Sequence, residues 1–147
     1  MRLTSRTPSD DLAPLAWFAP LSPAARRAAA RGADWCSVPA GTRLQRQGLH
    51  ARWLWVVVDG LVEVHHDGEL VGIVAPGRAF GEVELMLGVP SEVEVVAVTD
   101  ATVVSLSAAA FHGLFTHPCF AAAVAKRLAS DCYSARITAT ASSGPSA

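Results

Sequence analysis

At 147 residues the chain is long enough to bury one proper core and too short for two comfortable ones. It is 51% hydrophobic and 17% charged with a formal net charge of −1, an ordinary globular composition that excludes a wholly disordered chain. The near-zero charge hides an asymmetry, because residues 1–52 carry eight arginines against Asp10, Asp11 and Asp34, whereas residues 53–147 carry four basic and ten acidic groups. A basic half is by itself a weak sign of nucleic acid. The three cysteines, Cys36, Cys119 and Cys132, are odd in number and lack a C-x-x-C spacing, so they read as small buried hydrophobes in a reducing compartment. No apolar run approaches the roughly 18 residues that span a bilayer, and "MRLTSRTPSDDLAPL" has no apolar signal core. A cytoplasmic protein without a membrane partner is the expectation.

Residues 1–11 are polar and are expected to form a disordered tail, with one domain over 12–137. Helix is expected within 12–32: Ser22 can cap a helix whose first turn holds Pro23, and Gly32 ends it after alanine-rich turns. Strand chemistry takes over from 35 to 107. The runs "WCSVPAGTRLQRQG", "WLWVVVDG", "LVEVHHDG", "ELVGIVAPG", "EVEVVAVTD" and "ATVVSLS" are rich in valine and break at glycine or aspartate, at a spacing that means an all-β roll or barrel. Val62, Val64 and His66 fall on one face of their strand, and Leu61, Glu63 and His65 on the other. Asp59-Gly60 and Asp67-Gly68 are strong turn signals. After Ser107 the period changes, and Phe120, Val124 and Leu128 recur at helical spacing. Two helices separated at Pro118 are expected over 108–137, the second packing on the roll or forming a homodimer seam. The low-complexity end, 138–147, is expected to be a second disordered tail.

The runs "VPAGTRLQRQG", "LWVVVDGLVEV" and "APGRAFGEVELMLGVP" together resemble the cyclic nucleotide-binding domain family, shared by catabolite-activator-type regulators, kinase regulatory subunits and gated channels. Gly41, Gly48, Gly60 and Gly77 fall where that family turns its β-roll. The resemblance runs from about Leu15 to Leu128, and Phe80-Gly81-Glu82 is its most specific element. It implies a mainly β fold, a jelly-roll-like β-roll flanked by N- and C-terminal helices. It also implies a ligand-binding cassette that includes Phe80, Gly81, Glu82 and Val83. In the family the cassette glutamate accepts from the ribose 2′-hydroxyl, and an arginine about nine positions on pairs with the cyclic phosphate. Carried over without gaps, Glu82 is the ribose glutamate, Ser91 stands at the arginine, and Glu92 stands at the small residue after it. Glu84 also replaces a small residue. The frame is present and its electrostatics are inverted, since no lysine or arginine lies between Arg78 and Lys126.

The bland readings are set beside these. Glu82 can serve as a helix-start carboxylate held by backbone N–H groups or by Arg78. Glu92 and Glu94, two apart, read as a solvated strand face, and as a paired acid/base site they lack a third group and a water-excluding cleft. His65 and His66 point to opposite faces, and no H-x-H or H-x-x-x-H spacing is present, so no metal site is expected. An oxygenase on a similar roll would want a facial histidine and carboxylate set. Trp53 and Trp55 read as core and rim. The expectation is a stand-alone regulatory module, not an enzyme and without a cofactor, that acts through an unidentified protein partner. The alternative is a genuine cyclic AMP or cyclic GMP sensor with a non-standard counter-charge. No helix-turn-helix is recognisable after the last helix, so sequence-specific DNA binding is not expected.

Overall fold

The computed structural model describes residues 2–4 and 18–142, with side chains from 18 to 131. Ser22 opens the first helix, α1 (Pro23–Gly32), its hydroxyl accepting from the Ala25 N–H at 3.2 Å, with Pro23 in the first turn. Gly32 ends α1 for a packing reason, since a Cβ there would lie 2.5 Å from the Cβ of Ala110 on a later helix.

The strands are β1 (Arg2–Thr4), β2 (Ala33–Val38), β3 (Arg43–Gln45), β4 (Trp53–Asp59), β5 (Val62–His66), β6 (Glu69–Val74), β7 (Ala79–Phe80), β8 (Glu94–Ala97) and β9 (Ala101–Ser107). A short helix, α2 (Glu82–Leu87), follows β7, and α3 (Ala108–Leu114) and α4 (Pro118–Ser142) follow β9. All pairings are antiparallel, giving one sheet in the order β1-β2-β9-β4-β7 and a second in the order β3-β8-β5-β6. This is the jelly-roll-like β-roll with flanking helices that the sequence implies.

The first sheet is buried on both faces. Leu54, Val56, Val104 and Leu106 pack against Phe18, Ala25, Ala29, Phe111, Phe120 and Val124 on the helical side. Trp55, Val57, Cys36 and Val103 pack against Val62, Val74, Val95 and Phe80 inside the roll. That explains why "WLWVVVD" is almost continuously apolar, as a strand covered on both sides must be. The second sheet is covered on one face only, and its β6 edge leaves Leu70, Val71 and Ile73 exposed.

The two Asp-Gly breaks do different work. Asp67 and Gly68 both take positive φ, 51° and 81°, and form the two-residue link between His66 and Glu69. Asp59-Gly60 makes no hairpin between paired strands: β4 and β5 lie in different sheets. Gly60, at φ 102°, carries the chain across, with no room for a Cβ beside Ala101. The alternation along β5 holds to Val64, after which the register with β6 shifts between Val64 and His65.

Two tail expectations change. Arg2–Thr4 pairs with Trp35–Ser37 as an edge strand, because β2 offers an open edge there, so the expected disordered tail 1–11 is not tail at those residues. The remainder of 1–11, and the first helical piece expected within 12–17, lie outside the described residues. At the other end α4 runs through Ser142, so 138–142 continue the helix, with no glycine or proline before Gly144 to stop it; residues 143–147 lie outside the description.

Ser107 caps α3, accepting from the Ala110 N–H at 3.1 Å. Phe120 and Val124 of α4 are fully buried on the roll and Leu128 is packed beside them, so this part of the apolar stripe docks on the domain. The alternative expectation places a homodimer seam on this same stripe, of which Phe120 and Val124 are taken up by the domain's own core; side chains of α4 from Cys132 onward lie outside the described residues. Cys36 is buried, and burial pushes its thiol pKa up. Among the described residues no single helix is both long and apolar enough to cross a membrane.

Phe111 holds the helical side together, edge-on to Phe115 and Phe120 at ring centroid distances of 5.2 and 5.8 Å. Phe111→Ala is expected to cost about 3–5 kcal/mol in urea unfolding. Phe115→Ala, at a half-buried site, is expected to cost less.

Candidate functional site

The cassette is positioned from below by strand pairing. β7 pairs with β4, setting Phe80 opposite Trp55, and the two rings stack at 6.4 Å between centroids with planes 19° apart. Gly81 then takes φ 93°, and a Cβ there would stand 2.7 Å from the carbonyl oxygen of Trp53. Only glycine accepts both the left-handed conformation and the close approach. α2 starts at once, with Leu85 turned into the helical side of the core and Val83, Met86 and Leu87 exposed. Gly88, also left-handed, closes it by donating its N–H to the Glu84 carbonyl at 2.8 Å.

Ser91, which the resemblance would set at the family's phosphate arginine, is only 2% exposed. Its hydroxyl accepts from the Gln45 amide and from the Val93 N–H, and donates to the Val93 carbonyl at 2.8 Å. The second N–H of the Gln45 amide goes to Glu84 Oε1 at 3.0 Å, and Ser91 Oγ lies 3.3 Å from the same oxygen. An amide, a hydroxyl and a carboxylate therefore form one hydrogen-bonded cluster beside the start of α2. Gln45 is the residue that sequence reasoning missed. Its partners lie 39 and 46 positions away, and the one signal was a polar residue inside a strand run.

The remaining cleft, bounded by Gln45, Val64, Phe80, Glu82, Glu84 and Val93, has a volume of about 170 Å³, below the roughly 300–1,000 Å³ of typical small-molecule sites. Glu82 is 8% exposed, and its Oε2 has no hydrogen-bond partner among the described residues. Burial raises its pKa to about 6 against the pull of its own backbone N–H; Glu84 and Asp131 push the same way as burial, while Arg127 opposes them. Glu92 is exposed and does not line the cleft; its carbonyl accepts from or faces the His66 ring at 2.7 Å.

Two arginines, Arg78 and Arg43, are engaged elsewhere. Arg78 pairs with Asp131 at 3.2 Å rather than with Glu82 or Glu84, because α4 brings that carboxylate to it. Arg43 pairs with Glu94 at 3.4 Å. His65 contacts Glu63, its same-face neighbour, at 3.0 Å, and no group of three or more metal-ligating side chains exists among the described residues. Trp55 is core and Trp53 is rim, as expected.

A two-sheet roll with a glycine-started helix lodged at its mouth is the architecture of a regulatory sensory domain. The model of the cyclic nucleotide-binding domain matches residues 35–117, more than half of the sequence, and the chain belongs to that family. Among solved structures, the catabolite activator protein of Thermus thermophilus matches with a TM-score of 0.73 at 25% identity, over 86% of this chain and 62% of that one. The sensor domain of the transcriptional regulator DNR from Pseudomonas aeruginosa matches at 0.72 and 20% identity, over 84% and 92%. The regulatory subunit of a cAMP-independent protein kinase A from Trypanosoma brucei matches at 0.70 and 21%, over 81% and 43%. The last two speak to the fold alone.

The raised pKa of Glu82 links the cassette to stability. A carboxyl whose folded pKa exceeds its unfolded value binds more protons in the native state, so its contribution is favourable at low pH and is lost as pH rises from about 4.5 to about 6. That loss is at most about 2 kcal/mol. Glu82→Gln is therefore expected to raise stability relative to the parent at pH 8 and to leave the two equal near pH 4, measured by urea unfolding at both pH values.

Proposed function

We propose that this domain is a non-enzymatic regulatory module that does not hold a cyclic nucleotide in the usual manner of its family and that works through contacts with a partner protein. The observation that carries the reading is the buried Ser91, bonded to Gln45 and close to Glu84 where the family's phosphate arginine would stand. Removing one partner of a buried, hydrogen-bonded charge pair costs roughly 2–5 kcal/mol, which is about 30-fold to several thousandfold in affinity. Glu84 and Glu82 add repulsion toward a phosphate, and the cleft is small for a nucleotide. The exposed apolar side chains of the cassette, Val83, Met86, Leu87 and Val89, favour a protein as the partner.

Calorimetry at low salt is expected to give no one-site isotherm with cyclic AMP or cyclic GMP. A dissociation constant below about 10 μM for either would establish the other reading, a cyclic nucleotide sensor with its counter-charge outside the cassette. Ser91→Arg combined with Glu84→Ala is expected to create or strengthen binding, because it restores the cation and removes the nearest carboxylate.

A further inference from the structure

The arginines that the cassette lacks gather on the other side of Gln45. A cleft of about 480 Å³ opens between β3 and β4, walled by Arg43, Arg46, His50, Arg52 and Trp53 and floored by Leu44 and Trp55. No carboxylate lines it. Arg46 and Arg52 are exposed and form no ion pair with any described residue, and Arg43 shares Glu94 through its Nε alone. Trp53 is 39% exposed although its ring lies 5.7 Å from that of the buried Trp55. The loop between the strands is tied to the far end of the cassette: the Gly48 N–H donates to the Ser91 carbonyl at 2.8 Å and the Ser91 N–H to the Leu49 carbonyl at 2.9 Å. Leu49, the acceptor in the second of these bonds, is 56% exposed.

We infer that this cleft is the docking site for an acidic segment of a partner protein, with an aromatic or aliphatic anchor seated against Trp53 and its carboxylates on Arg46 and Arg52. The inference rests on the reading that the domain works through protein contacts, and it names the surface and the chemistry of the partner. Charge complementarity selects an acidic partner. Arginine and tryptophan around a desolvated floor form the kind of patch in which binding energy concentrates. A free phosphate would leave Trp53 and Leu49 uncovered. A nucleic acid backbone would offer the exposed Leu49 no apolar anchor.

Fluorescence anisotropy on the full chain tests this with a fluorescein-labelled synthetic peptide in which aspartate and glutamate flank a central phenylalanine. Three competitors accompany it: the same peptide with lysine for each acid, a single-stranded oligonucleotide, and inorganic phosphate. The acidic peptide is expected to bind, and to lose at least about tenfold in affinity in Arg46→Glu/Arg52→Glu and several-fold in Trp53→Ala. It is also expected to weaken as salt rises from about 50 to about 500 mM. Arg27→Glu, on the exposed face of α1, is expected to bind like the parent, and circular dichroism of every variant reports folding. No binding of the acidic peptide, equal binding of the lysine twin, or indifference to the double charge reversal overturns the inference. Tighter binding of the oligonucleotide or phosphate at the same arginines overturns it in favour of nucleic acid or a free anion. Cyclic AMP calorimetry on the same sample keeps the two readings apart: peptide failure without nucleotide binding sinks the docking site alone, and nucleotide binding sinks the reading on which it rests.

Discussion

The burial of β4 and β9 on both faces is the constraint on which the rest of the domain depends. Leu54, Val56, Val57, Val103, Val104 and Leu106 are fully enclosed, and each such side chain contributes about 1.5–3 kcal/mol relative to exposure. Because both faces must be covered, the chain supplies helices on one side and the second sheet on the other. β7 then has a single place left to pair, on the free edge of β4. That pairing fixes Phe80 over Trp55, brings Gly81 against the Trp53 carbonyl, and so sets where the cassette helix begins.

Within that frame a short helix is held between two left-handed glycines, Gly81 and Gly88, and Leu85 anchors it. The polar groups have turned inward to one another: Gln45 bridges Ser91 and Glu84, and Glu82 sits in a shell too dry to ionise at its ordinary pKa. Three of the eight arginines of residues 1–52, Arg43, Arg46 and Arg52, lie around the opening between β3 and β4, so part of the sequence asymmetry does become a spatial one.

Much of this architecture was legible in the residues themselves. Ser22 and Pro23 announced α1, the valine-rich runs announced the strands, and Asp67-Gly68 announced its hairpin because two positive φ angles demand such residues. Asp59-Gly60 carried the same local signal and a different outcome, since no local rule says that the next strand joins the other sheet. β1 was illegible because a three-residue run with a single apolar side chain, Leu3, forms a strand only where an edge awaits it. In the site, Phe80, Gly81 and Glu82 were readable as a motif, and the missing arginine at Ser91 as a departure from it. Gln45 and the Arg78–Asp131 pair were not readable, because each depends on segments 39 or more residues apart being brought together by tertiary packing.

The doubly covered sheet also acts as a partition. Phe80 belongs to the compartment inside the roll, with Trp55 and Val57, whereas Leu85, five residues later, belongs to the helical compartment with Phe18, Phe111 and Phe120. The cassette is thus a segment that enters both rooms, and any displacement of it is felt on the helical side through Leu85 without crossing the strands. Glu82 at the start of α2 also feels Arg127 and Asp131 of α4, so the cassette meets the helical side through one apolar and one charged residue.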